Sequence, residues 1–206
     1  GLPIRFITRI GKDPEGKEIL DILRQYRFNL DDVQIDTAHP TGRVTVALDA
    51  KGVPVFDIQP DVAYDYLSLP KIEPASGSND QRRLIYFGSL IQRTRQGFKT
   101  VQKFLSSLSE NDKCLCDINL RPGGYNDTIV LDSVKQADIL KLNEDELGMI
   151  RQITDSDLVG SDFVRDLMDR YVLEMVSLTK GDRGSELYIG GERYAAKTET
   201  IGKIAD

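Results

Sequence analysis

Short, β-branched apolar runs alternate with longer stretches of helical periodicity along nearly the whole chain, and this alternation limits the fold more than any other feature. Ile4 to Ile10 reads as a strand. Asp13-Pro14 then offers an N-cap followed by proline at the first helical position, with Ile19, Leu20, Leu23 and Tyr26 on one helical face. Further along, Arg83 to Phe87 reads as a buried strand and Gly97 to Leu108 as a helix with Phe98, Val101, Leu105 and Leu108 inward. Cys114 to Asn119 is a strand, Ile129 to Val134 helical, Asp138 to Leu142 a strand, and Glu144 to Ile150 a helix. Asp162 to Tyr171 is a helix and Val172 to Leu178 a strand, and a hairpin follows, Glu186 to Ile189 and Glu192 to Ala196, turning at Gly190-Gly191 in type I′ or II′. Strand–helix alternation of these lengths predicts an α/β fold: a mostly parallel sheet covered by helices on both faces.

One segment departs from the rule. Val44 to Gln59 reads as two alternating strands around Ala50-Lys51-Gly52 with no helix between them, an antiparallel hairpin that either covers a sheet edge or closes over a ligand. Pro70 to Gln81 is a Pro/Ser/Gly-rich surface connection, too short for a domain linker. At 206 residues the chain is expected to form a single domain. Its 27 basic against 33 acidic residues, net −6 and spread along the chain, argue against general binding of nucleic acid or anionic membrane. No apolar run approaches the ~20 residues that span a bilayer, and no secretory signal is visible. Cys114 and Cys116 share a strand face and read as small buried hydrophobes rather than as metal or redox groups. The one histidine, His39, precedes Pro40 in a polar turn and reads as loop surface. A reducing cytoplasm is the expected home. The chain opens at Gly1 almost directly into IRFITRI and stops at IGKIAD, so it reads as incomplete at both ends.

Ligands of a parallel α/β sheet bind beyond the carboxyl ends of the strands, and four successive strands here run into polar or glycine-rich sequence. RLIYF leads to Gly88-Ser89, CLCDIN to Leu120-Arg121-Pro122-Gly123-Gly124, DILKL to Asn143 with Glu146 three residues on, and VSL to Thr179-Lys180-Gly181-Asp182-Arg183-Gly184. Asp117, Asn119 and Arg121 alternate; a guanidinium fixed there suits a hydroxyl or phosphate, or else Asp and Arg cap the strand locally. Asn143 and Glu146 have capping-box spacing, and the same pair of groups suits a hydrated magnesium, which takes few direct protein ligands. The glycines at 181 and 184 either make an ordinary turn or let the backbone approach a nucleotide. Neither G-x-x-x-x-G-K-[ST] nor G-x-G-x-x-G occurs, which argues against P-loop and Rossmann nucleotide sites.

RIGKDPEG (9–16), HPTGRVTVALDAKG (39–52), DINLRPGGY (117–125), ADILKLNEDEL (137–147) and SLTKGDRGSELY (177–188), in that order, resemble successive motifs of PfkB/ribokinase-family carbohydrate kinases. VAYDYL (62–67) and FGSLIQR (87–93) resemble the fructokinase branch most. The resemblance implies a three-layer α/β/α ribokinase-like sandwich over residues 1–206, with the hairpin at about 41–60 as a small β lid. It implies ATP-dependent phosphorylation of a small sugar, with Mg2+, and a homodimer through the lid as one option. Substrate contacts then fall to Arg121 and Asn119, with Phe56 of the lid over the sugar. Nucleotide contacts fall to Lys141, Asn143, Thr179, Gly181 and Gly184, and magnesium to Asn143 and Glu146. The family's catalytic aspartate belongs to a D-T-x-G-A-G-D motif whose first position would be Asp206, so the base is expected beyond Asp206 and the 206 residues alone are expected to be inactive. The resemblance leaves open a relative acting on 2-keto-3-deoxygluconate, ribose or a nucleoside, and a non-catalytic sugar-binding member.

Overall fold

A computed structural model describes residues 4–198, except 49, 51, 53 and 71–81. The Pro70–Gln81 connection, much of the turn at 49–53 and the Asp206 position therefore lie outside the described residues. The chain divides into two compact units, Gly1–Pro70 with Thr94–Val101, and Lys71–Arg93 with Gln102–Asp206.

The first unit holds β1 (Thr8–Gly11), α1 (Pro14–Gln25), β2 (Val33–Asp36), β3 (Val44–Leu48) and β4 (Pro54–Ile58). β1 and β2 pair in parallel from Thr8↔Val33 to Gly11↔Asp36. The expected strand from Ile4 is thus shorter at its start, because its partner begins only at Val33. α1 starts where Asp13 accepts the Gly16 N–H at 2.8 Å, with Pro14 as first helical residue. A buried polar cluster joins this start to the residues before β3. Thr41 Oγ1 accepts from Gly11 N at 2.9 Å and donates to Asp13 Oδ1 at 2.6 Å, while Thr41 N donates to Asp13 Oδ2 at 2.7 Å. Asp36 is buried as well, taking Arg9, the N–H groups of Ala38 and His39, and the His39 ring. Burial raises its carboxyl, but these donors outweigh it and hold the group well below the usual range. His39 is accordingly not plain loop surface: its ring stacks on Tyr66 at 3.7 Å and contacts Asp36. β3 and β4 form the expected antiparallel hairpin as a two-stranded sheet of their own, Val44↔Ile58 to Leu48↔Pro54.

The second unit is a six-stranded sheet of β5 (Leu84–Gly88), β6 (Lys113–Asp117), β7 (Ile139–Asn143), β8 (Met175–Thr179), β9 (Ser185–Ile189) and β10 (Glu192–Ala196), in the order β10-β9-β8-β7-β6-β5. β5 to β8 are parallel and β9 and β10 antiparallel. Gly190 and Gly191 both have positive φ, 58° and 82°, which makes the last turn type I′. The connections carry α2 (Arg95–Leu105, of which Gln102–Leu105 belongs to this unit), α3 (Asp127–Lys135), α4 (Glu144–Ile153) and α5 (Gly160–Tyr171). Because β5, β6, β7 and β8 lie side by side in chain order, right-handed crossovers bring their helices to one face. That face holds the core: Cys116, Leu140, Val176 and Tyr188 from the strands with Val130, Val134, Ile150, Phe163 and Leu167 from the helices, all 2% exposed or less. Each such side chain contributes about 1.5–3 kcal/mol of apolar burial. Cys114 and Cys116 are free and buried on it, and burial pushes their thiols up, Cys114 to about 12. The opposite face is more open. Leu84 and Tyr86 are 60% and 66% exposed, so β5 is buried only at Phe87 rather than throughout. Among the described residues, no helix is long and apolar enough to cross a membrane.

Candidate active site

The parallel strands of the second unit end in register. Gly88 of β5, Asp117 of β6 and Lys141 of β7 are successive lateral partners, and Asn143 of β7 pairs with Thr179 of β8. Six of the residues singled out from the sequence, Asn119, Arg121, Lys141, Asn143, Glu146 and Thr179, therefore stand along one edge, with Gly181 and Gly184 in the turn after β8.

Asp117 anchors the middle of this edge. Its Oδ2 accepts the Lys141 ammonium at 2.5 Å and the Tyr86 hydroxyl at 2.7 Å, and the bond to Asp117 pushes the Tyr86 phenol up to about 12. Asp117 is thus held by the tyrosine and the lysine of its two neighbouring strands. Asn119 adopts positive φ, 40°, as the chain leaves β6, and is exposed. Its carbonyl accepts Ser89 Oγ at 3.4 Å, and Arg121 Nη1 reaches the Leu120 carbonyl at 3.5 Å.

Asn143 and Glu146 form the capping box that their spacing predicts. Asn143 Oδ1 accepts Glu146 N and Glu146 Oε2 accepts Asn143 N, each at 2.9 Å. Glu146 does more than cap. Its Oε1 accepts Leu120 N at 2.8 Å, so one buried carboxylate ties the β7–α4 junction to the loop carrying Arg121. Each oxygen keeps acceptor capacity beyond the N–H it takes, and Asn143 is exposed beside it. This hard, two-group donor set fits a magnesium ion that keeps most of its water. Among the described residues, no cluster of three or more His, Cys, Asp and Glu is set to enclose a metal.

After β8, Thr179 Oγ1 donates to the Leu142 carbonyl at 3.4 Å. Gly181 (φ 59°) faces open space, as backbone that approaches a ligand must. Gly184 has a nearer reason to be glycine: a Cβ there would lie 2.0 Å from the Ala196 carbonyl oxygen. Beside the turn is a cleft of about 360 Å³ lined by Glu144, Arg151, Lys180, Glu186 and Tyr188 among others. In it, buried Glu186 accepts Lys180 at 2.7 Å, Tyr188 at 2.6 Å and Arg193 at 2.9 Å. Burial raises Glu186, the three donors together outweigh this, and its carboxyl sits at about 2.

Phe56 lies in β4 of the other unit and is half exposed. Sequence reasoning did not find Tyr86 or Glu186. The signal for Tyr86 was its place two residues before Gly88 on a strand whose register puts it beside Asp117, and register is not visible in one sequence.

The sequence matches the profile of the pfkB family carbohydrate kinase over residues 1–206. The chain belongs to the pfkB family of carbohydrate kinases. It is 23% identical over 191 residues to a fructokinase of Klebsiella pneumoniae, covering 91% of this chain and 61% of that relative. It thus spans about 61% of that relative's length. Its fold is that of a fructokinase of Xylella fastidiosa solved with bound ATP, TM-score 0.78 at 16% identity over 96% of this chain and 61% of that one. It also matches a fructokinase of Vibrio cholerae O395 in a fructose-, ADP- and calcium-bound form, TM-score 0.72 at 17% identity over 95% and 63%. The α/β architecture expected from the sequence is therefore of the ribokinase-like kind.

Proposed function

We propose that the full-length protein phosphorylates a small sugar, fructose first among candidates, with ATP and Mg2+, and that residues 1–206 form part of one kinase domain. The observation that carries this is the alignment of Asn119, Arg121, Lys141, Asn143 and Thr179 along the carboxyl edge of β6 to β8 in a chain whose family is that of carbohydrate kinases. ATP in the Xylella relative and fructose with ADP in the Vibrio relative support the choice of substrates. In this reading a sugar hydroxyl oxygen attacks the γ-phosphorus in line while the bond to the β-phosphate oxygen breaks and ADP leaves with its electron pair. The hydroxyl proton passes to an aspartate beyond Asp206. Arg121 and Asn119 orient the sugar and the transferring group. Lys141, Asn143, Thr179, Gly181 and Gly184 hold the nucleotide. Asn143 and Glu146 would hold Mg2+, which supplies charge neutralisation on the phosphates.

The β3–β4 hairpin acts as a lid, and as a dimer contact. Val44, Val46 and Leu48, which alternate onto one face of β3, are 53%, 55% and 69% exposed, an apolar surface that a second copy would cover. The buried free thiols fit a reducing cytoplasm. The test of the reaction is 31P NMR of the full-length protein with ATP, Mg2+ and, in separate tubes, fructose, ribose, 2-keto-3-deoxygluconate and adenosine. One sugar-phosphate resonance rising in step with ADP, strongest with fructose, is the expected result. ADP with no phosphorylated sugar, or no ADP at all, would overturn it.

A further inference from the structure

Asp117 presents one oxygen to two donors. Tyr86 Oη reaches Oδ2 at 2.7 Å from β5 and Lys141 Nζ reaches the same atom at 2.5 Å from β7, so the carboxylate is held from both neighbouring strands. The carboxylate is only 14% exposed, whereas the Lys141 side chain is 46% exposed and Tyr86 is 66% exposed. A phenol that shares the oxygen has two effects. It fixes the plane of the carboxylate, and it draws on the lone pairs that would otherwise all serve the ammonium. Because Asp117 pushes it up to about 12, the Tyr86 phenol stays a donor throughout the neutral range.

We infer that Tyr86 is a positioning residue for the nucleotide: it fixes Asp117 so that this carboxylate holds Lys141 by one N–H and leaves the other two for an ATP phosphate. A lysine ammonium has three donors and one is spent on Oδ2. Without the phenol, Asp117 is free to turn and take the ammonium with both oxygens, which withdraws charge from the strand edge. The inference rests on the reading of this edge as the nucleotide site. It adds a residue whose role nothing in the motif spacing assigns.

The test is a double-mutant cycle read by calorimetric titration of Mg·ATP into the full-length protein, with steady-state kinetics alongside. Tyr86→Phe keeps the ring and is expected to weaken ATP binding about three- to tenfold, the scale of one charge-assisted hydrogen bond, with KM for ATP rising and kcat little changed. In a Lys141→Met background the same Tyr86→Phe change is expected to alter ATP affinity less than twofold, because the group it positions is gone. A merely structural role would lower affinity equally in both backgrounds, and that result, or no effect in the Lys141 background of the natural chain, overturns the inference. ATP binding with the predicted coupling but no sugar phosphorylation would sink the kinase reading and leave this inference standing. No ATP affinity in the unmutated protein would overturn both.

Discussion

Glu146 Oε1 accepts the backbone N–H of Leu120 at 2.8 Å, so the carboxylate in the first turn of α4 holds the loop from which Arg121 projects. The other oxygen takes Asn143 N. A residue that reads in sequence as half of a capping box is thereby also the tie between two of the four strand ends that make the candidate site.

Removing that carboxylate should cost stability even without any ligand. Glu146→Ala leaves the buried Leu120 N–H and the part-buried Asn143 N–H without their acceptor, and a buried one costs about 1–3 kcal/mol when stranded. Urea denaturation is expected to show a loss of about 2–4 kcal/mol for Glu146→Ala and roughly half that for Glu146→Gln, which keeps one acceptor oxygen. Equal stability of all three proteins would contradict the tie.

The join between the start of α1 and the segment before β3 runs largely through Thr41, whose hydroxyl adds two bonds to that of its N–H. Thr41 Oγ1 both accepts from Gly11 N and donates to Asp13, and Thr41 is 3% exposed. Thr41→Val keeps the shape and loses both bonds, with an expected cost of about 1–3 kcal/mol, whereas Thr41→Ser should recover most of it. Thermal unfolding of the pair measures this, and a valine variant as stable as the serine one would argue against it.

α5 ends on a residue poorly suited to its backbone. Val172 has φ 57° at the helix C-cap and is 81% exposed, so its branched side chain sits in the left-handed region with no burial to offset the strain. Val172→Gly is expected to raise stability by up to about 1 kcal/mol, since relief of ~1–2 kcal/mol of strain exceeds the entropy that glycine adds to the unfolded chain. A lower denaturation midpoint in the glycine variant would refute this.

Acid should weaken the second unit in a defined window. The Arg83 guanidinium, with Ser109, holds the buried Asp112 carboxyl down at about 2, and Glu186 sits at about 2 through Lys180, Tyr188 and Arg193 against the opposing effect of burial. Both folded values lie below those of an unfolded chain, about 4. The stability they contribute is therefore fully present above about pH 4 and is lost as pH falls through about 2. Midpoints of urea denaturation from pH 6 to 2 are expected to drop mainly below pH 4, with a smaller drop for Asp112→Asn. A flat profile through that range would contradict the pairing.

The hairpin at β3–β4 was legible because alternation survives in VTVAL and PVFDI without a helix between them, and the four strand ends were legible because each apolar run stops at a polar or glycine residue. β2 was not legible: VQID is four residues long and its fourth residue is a buried aspartate whose partners, Arg9 and the His39 ring, come from other segments. His39 read as surface for the same reason, since stacking on Tyr66 joins residues 27 apart. Lys141 lies on the strand edge, but its partner depends on the register of β6 against β7, and the contact of Tyr86 on that of β5 against β6. Local chemistry is written in the sequence; lateral neighbours arise only from packing.

The measurement that tests the central claim most directly is kcat/KM for fructose in the full-length protein, natural and Arg121→Ala, with ATP and Mg2+ saturating and folding of both checked by thermal melting. If the carboxyl edge of β6 to β8 is the active site of a sugar kinase, the natural protein turns over fructose and Arg121→Ala loses about 10²-fold or more, in keeping with removal of one charged transition-state contact. Equal turnover by the two folded proteins, or none by either, would contradict it.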